Sequence, residues 1–169
     1  MVKLGLTLIV GGGDAEVLER CMKSVQGTLF DDVWITVTAD DADIREVAGR
    51  YATRVLEFEW CQDFAAARNV GWLGMLDDPT ITHKMWLDAD DVVKPEEYQK
   101  LLALKERLKP DEIVLMDYVY SHDQNGAPVL TLPRERIYPN VEGYWWHDCI
   151  HEYINMQYDF NSRVRRGPG

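Results

Sequence analysis

Four short apolar runs, each followed by a segment with helical spacing, fill the first 110 residues and constrain this chain most. Leu4 to Val10 is rich in β-branched and aliphatic residues, and Val33 to Thr38 alternates as Val-Trp-Ile-Thr-Val-Thr. Val55 to Trp60 and Lys84 to Asp88 complete the set. Between them, Asp14 is placed to cap a helix with Val17, Leu18, Cys21, Met22 and Val25 on one face. Asp43 is placed to cap a second through Val47 to Tyr51, and Asp63 a third from Phe64 to about Leu76. Pro95 suits the first turn of a fourth, with Leu101, Leu102, Leu104 and Leu108 as its buried stripe. A βαβαβαβα order predicts an α/β fold with a Rossmann-like, mainly parallel, doubly wound sheet. After Glu112 the pattern changes. Ile113 to Tyr120 and Val129 to Leu132 flank Gln124-Asn125-Gly126, which predicts a small antiparallel C-terminal extension. The tail from Arg134 reads as aromatic-rich and irregular.

In open sheets of this kind, ligands bind beyond the carboxyl ends of the strands. That edge gathers Gly11-Gly12-Gly13, the acidic turn 40–43, Asp63 and the run Trp86-Leu87-Asp88-Ala89-Asp90-Asp91. Three carboxylates so close repel one another, and a hard divalent cation, which prefers carboxylate oxygen, would offset that. The competing reading is a solvated acidic turn that caps the next helix. The glycine triplet precedes a helix, but Glu16 stands where a dinucleotide fingerprint needs its third glycine, so a plain tight turn explains it equally well. Arg68-Asn69, one turn into the third helix, either faces the sheet edge or lies on the surface. His147-Asp148 and His151-Glu152 sit in a tryptophan-dense segment, where an aromatic core or a site both accommodate them. Cys149 lies between the pairs without zinc-finger spacing. Tyr144, Trp145 and Trp146 are either ring-stacking residues or core.

Composition narrows the function. Net charge is −11, from 29 acidic and 18 basic residues, which argues against a broad nucleic-acid face. The 46% hydrophobic fraction is that of a folded protein. Cys21, Cys61 and Cys149 are widely spaced and form no CxxC pair, so they read as reduced, mostly buried thiols. No run approaches a membrane span, and the N-terminal apolar run is too short for a signal peptide. A soluble, cytoplasmic protein is expected.

Taken in order, these segments resemble the family 2 glycosyltransferases, which have the GT-A nucleotide-diphospho-sugar fold. The resemblance rests on Leu6 to Val10, Leu18-Glu19-Arg20-Cys21, and Phe58 through Asn69. It continues in Asp88-Ala89-Asp90-Asp91, Arg136 to Asn140 and Ile150-His151-Glu152. It implies a single domain over 1–169, with a nucleotide-sugar half (1–110) and an acceptor half (111–169). It further implies an inverting enzyme that uses Mn²⁺ or Mg²⁺ to move a sugar from a nucleotide donor, a UDP-sugar, to a hydroxyl acceptor. By resemblance, Asp90 ligates the metal and Asp88 touches the ribose or the metal's water shell. Val10, Gly11, Thr38, Asp40, Asp63, Arg68 and Ala89 line the nucleotide. Asp148 or Glu152 takes the acceptor's proton, Asp148 being preferred, and His151 is a metal ligand or an acceptor contact. Protein, glycan, lipid and modified nucleic acid all remain open as acceptors.

The chain departs from the family at Gly11-Gly12-Gly13-Asp14, at Thr38, where an acid is common, and in lacking a late metal-binding histidine. Either Arg163, Arg165 and Arg166 hold the diphosphate instead, or the chain is truncated. Two alternatives stand beside the transferase: a nucleotidyltransferase of the same fold, and a non-catalytic module that binds sugar nucleotide or carbohydrate.

Overall fold

A computed structural model describes residues 1–155 and 164–167. β1 (Leu4–Val10) is central. It pairs in parallel with β2 (Asp32–Val37) on one side and β4 (His83–Trp86) on the other. β3 (Arg54–Glu57) extends the sheet beyond β2 in the same direction. Helices α1 (Ala15–Ser24), α2 (Ala42–Tyr51) and α3 (Phe64–Gly74) are the crossovers, and α4 (Pro95–Lys105) follows β4. The doubly wound, mainly parallel α/β fold is therefore as expected.

The hairpin of β5 (Ile113–His122) and β6 (Pro128–Pro139) joins this same sheet. β6 lies antiparallel to β4, so Arg134 to Pro139 is strand where an irregular tail was expected. Polar residues masked it: Arg134, Glu135 and Arg136 sit mid-strand, and Arg136 is buried by an ion pair the local sequence does not reveal. β9 (Val164–Arg166) pairs in parallel with the outer edge of β5, giving the order β3-β2-β1-β4-β6-β5-β9. A two-stranded antiparallel sheet, β7 (Trp146–His147) with β8 (Tyr153–Ile154), completes the C-terminal part.

The strand alternation divides the core. Leu4, Leu6, Leu8 and Val10 face α1 and α2 together with Ile35, Val37, Met85 and Leu101. On the opposite face, Trp72 of α3 packs with Trp86, Tyr138, Tyr144 and Trp146. Tyr144 and Trp146 are thus core, while Trp145 is half-buried. Asn69 serves this packing: its amide both donates to the Trp146 carbonyl and accepts from the Trp146 N–H, each at 2.9 Å. Among the described residues, no helix is long and apolar enough to cross a membrane.

Two caps differ from expectation. Asp41, not Asp43, caps α2, accepting from Asp43 N and Ile44 N. Asp14 precedes α1 without a side-chain capping bond. Asp63 caps α3 as expected, accepting from Ala66 N at 2.8 Å. Of the cysteines only Cys21 is buried; Cys61 and Cys149 are exposed, because both fall in loops at the sheet's carboxyl edge.

Candidate active site at the carboxyl edge of the sheet

The loop after β1 turns at Gly13, whose φ of +82° favours glycine. Its N–H donates to Asp41 Oδ2 at 3.0 Å, so the carboxylate that caps α2 also fixes this turn. Those backbone donors, Gly13 first, hold the Asp41 carboxyl below its usual range. Thr38, at the end of β2, donates its hydroxyl to the Val10 carbonyl at 3.0 Å. Val10, Gly11, Gly12 and Thr38 form one wall of a cleft of about 720 Å³. Trp60 and Phe64, in edge-to-face contact at 4.8 Å, line it as well, and Asp88, Ala89 and Asp90 close it.

β4 ends at Trp86, and the chain then folds back on itself. Asp91 Oδ2 accepts from Asp88 N at 2.9 Å, and Asp91 N donates to the Asp88 carbonyl at 3.0 Å. Arg136 reaches in from β6, with Nη1 2.9 Å from Asp91 Oδ2, and its guanidinium lies 3.8 Å from the centre of the Trp86 ring. Burial pushes the Asp91 carboxyl up, against the pull of Arg136. Asp91 therefore shapes the loop, while Asp90 stays exposed and Asp88 half-buried. One ligand atom from each of the three carboxylates falls within a single 4.8 Å group. Behind them the buried Cys21 thiol donates to the Asp88 carbonyl at 3.5 Å. Burial, reinforced by Asp91, Asp88 and Asp90, pushes that thiol up to about 12, so it stays protonated.

Arg68 joins this loop to the C-terminal segment. Its Nη2 donates to Asp88 Oδ1 at 2.5 Å and its Nε to Glu152 Oε1 at 2.9 Å. The guanidinium lies near the rings of Trp86 and Trp146, at 5.3 and 4.8 Å. On its far side a second cavity of about 630 Å³ opens, lined by Trp86, Arg134, Trp146, His151, Glu152 and Tyr153 among others. Phe64, Arg68 and Asp88 border both cavities.

The sequence-expected residues thus divide. Val10, Gly11, Thr38, Arg68, Asp88, Ala89 and Asp90 converge on the first cleft, and Glu152 and His151 on the second. Asp63 caps its helix and borders neither cavity. Asp40 pairs with Arg45 at 2.7 Å and also borders neither. Asp148 is exposed and outside both linings, at φ +67°. His151, at φ +57°, is not in the carboxylate group. Arg163 lies outside the described residues, and Arg165 and Arg166 stand in β9, with β5 and β6 between them and β4. Trp60, Phe64, Arg134 and Tyr153 also line these cavities and are not among the sequence-expected site residues. Trp60 and Phe64 had a usable signal: aromatics just past the carboxyl end of a strand.

The family model for glycosyl transferase family 2 matches residues 13–165. The chain belongs to glycosyl transferase family 2. This family 2 chain also has solved structures as fold neighbours. A 4-diphosphocytidyl-2C-methyl-D-erythritol synthase from Anaerococcus prevotii is 12% identical, with TM-score 0.56, over 82% of this chain and 70% of that one. Staphylococcus aureus TarS, residues 1–349, is 14% identical, with TM-score 0.54, over 82% of this chain and 47% of that one. Rv0371C from Mycobacterium tuberculosis, solved in complex with manganese, is 14% identical, with TM-score 0.54, over 81% and 70%. At such identities these likenesses establish the fold. No curated protein matches the sequence.

Proposed function

We propose that this family 2 chain is a metal-dependent inverting glycosyltransferase, moving a sugar from a UDP-sugar to a hydroxyl acceptor. One observation carries the reading: the carboxylate loop stands where two cavities meet, with Asp88 bordering both. The donor set fits Mn²⁺ or Mg²⁺. Asp90 is exposed with an uncommitted carboxylate, Asp88 is half-open, and Asp91 is occupied by Arg136 and a backbone N–H. Asp90 and Asp88 would hold the ion, which offsets the charge that builds on the departing diphosphate.

The chain's own residues do the rest. Val10, Gly11 and Thr38 form the floor for the nucleoside, and Trp60 with Phe64 offers an aromatic wall to a base. Glu152 replaces Asp148 as the preferred base, because it lines the second cavity and Arg68 fixes its carboxylate. It takes the proton of the acceptor hydroxyl as that oxygen attacks the anomeric carbon. The bond from that carbon to the diphosphate breaks, and its electron pair leaves on UDP. His151 lines the acceptor side, as a contact rather than a ligand. The free thiols suit a cytoplasmic setting.

UDP with Mn²⁺ is expected to raise the melting temperature. At a hundred times its Kd the stabilisation is about 2.7 kcal/mol, or roughly 5–10 °C for a chain of this size. Asp90→Ala removes the shift. If no nucleoside diphosphate stabilises the protein with any divalent ion, the donor site is wrongly placed. Release of UDP from a UDP-sugar marks glycosyl transfer, whereas nucleotidyl transfer would release pyrophosphate from a nucleoside triphosphate supplied with a sugar phosphate. Glu152→Gln should abolish transfer while Asp148→Asn retains it; the reverse result would move the base to Asp148.

A further inference from the structure

Three arginines surround the indole of Trp86, and their charges are not used alike. Arg68 is shared between Asp88 and Glu152, and Arg136 is bound to Asp91. Arg134, on the same strand as Arg136, lines the second cavity and lies 5.1 Å from the centre of the Trp86 ring. Its Nη1 donates to the Tyr120 hydroxyl at 2.7 Å, which holds the guanidinium in place. No carboxylate among the described residues stands within ion-pair distance of it. Its Nε and Nη2, the two donors that form one side of the guanidinium fork, have no described partner. A planar fork with two parallel N–H groups is the shape that grips a phosphate or carboxylate.

Two further donors beneath this cavity are unmet. Arg68 Nη1 and Trp146 Nε1 are buried without a hydrogen-bond partner, and both residues line the cavity. Their side chains are 9% and 3% exposed, so neither is satisfied by bulk water. Buried donors left open are costly unless an acceptor arrives. The open fork of Arg134 on the cavity wall, with two more unmet donors buried behind it, calls for an oxygen-rich, negatively charged guest.

We infer that the acceptor carries an oxyanion, a phosphate or a carboxylate, which Arg134 grips while its hydroxyl faces Glu152. This rests on the second cavity being the acceptor side, as proposed above. Arg134 is then a specificity-determining residue: it selects the acceptor and takes no part in the bond exchange. Asp88, Glu135 and Glu152, the acids of the same cavity, disfavour an anion bound elsewhere within it and so sharpen the choice of position.

A matched set of hexoses tests this: glucose, glucose 6-phosphate and glucuronate, titrated calorimetrically into the protein saturated with UDP and Mn²⁺. Filling the first cleft beforehand keeps the phosphate probe out of the diphosphate position. At least one anionic probe should bind about tenfold more tightly than glucose, the size of one good charge-assisted contact. Arg134→Gln should erase that advantage, and Arg134→Lys, which keeps the charge and loses the fork, should keep part of it. A gain by glucose 6-phosphate alone assigns a phosphoester acceptor, and a gain by glucuronate alone a carboxylate. Equal binding of all three probes, or an anion advantage that survives Arg134→Gln, overturns the inference. If UDP and Mn²⁺ themselves fail to bind, the donor reading is what fails. The same titration without nucleotide then still decides whether Arg134 creates an anion preference.

Discussion

Lys84 has no exposed surface, yet it stands in the middle of β4. Its Nζ donates to the Trp72 carbonyl at 2.9 Å and lies 4.4 Å from the centre of the Trp72 ring. Burial lowers its pKa from 10.5 to about 7. The unfolded chain therefore binds one more proton than the folded chain between those values, and stability rises with pH across the window. Cys21, Tyr118 and Tyr138, all raised by burial, act in the opposite sense only as their unfolded forms begin to ionise. Urea unfolding from about pH 7.5 to 8, above the unfolded histidine midpoint and below the unfolded cysteine midpoint, reads mainly Lys84, with a slope of up to about 1.4 kcal/mol per pH unit. In Lys84→Met that slope should flatten, and an unchanged slope would mean that the amine is charged in the fold. Arg68 is a contrasting case, a buried cation held by two carboxylates. Arg68→Met strands both acids and should cost about 3 kcal/mol. Arg68→Lys, unable to span Asp88 and Glu152 at once, should restore only part of it. Of these two residues the sequence singles out Arg68, by its place in the helix; nothing local marks Lys84, because its partner is a helix carbonyl from another element.

At the scale of elements, α3 is the piece that carries the site, and it lies close on the sheet. A Cβ at Gly74 would come within 2.9 Å of the Trp34 ring, in a buried cluster with little room. Gly49, on the exposed side of α2, would meet nothing within 4 Å. The same substitution thus has opposite signs. Gly49→Ala should stabilise by about 0.5–1 kcal/mol through helix propensity alone, whereas Gly74→Ala should destabilise by about 1–3 kcal/mol through overpacking. Chemical denaturation of the two variants reads both directly. Elements of this kind were legible because their apolar spacing is local: β1, α3 and α4 lie within a few residues of where periodicity puts them. The misreadings share a cause. Asp41 rather than Asp43 caps α2 because its second oxygen also serves Gly13, 28 residues away. β3 stops at Glu57, short of Trp60, because the chain leaves the sheet and turns Trp60 toward the cleft. Arg136 and Asp91, 45 positions apart in sequence, meet only once β6 lies beside β4.

For the whole molecule, the net charge of −11 and the carboxylate loop make separable contributions to stability. Self-repulsion among like charges is screened by any salt, with a Debye length that falls from about 30 Å at 0.01 M to about 8 Å at 0.15 M. Raising sodium chloride over that range should therefore raise the melting temperature, since exposed pairs such as Arg45–Asp40 are worth too little to reverse the trend. Because the effect is global, it should be the same in wild type and in Asp90→Ala after allowing for the one charge removed. The response to Mn²⁺ with UDP should not. At fixed ionic strength the proposed site requires Asp88 and Asp90 of the carboxylate loop, so wild type should gain several degrees and the variant none. A manganese response that merely tracks ionic strength, equal in both proteins, would reduce the carboxylate loop to a solvated acidic turn. The sequence alone left that alternative open, because the convergence of Asp88, Asp90, Arg68 and Glu152 depends on contacts between β4, α3 and the C-terminal segment.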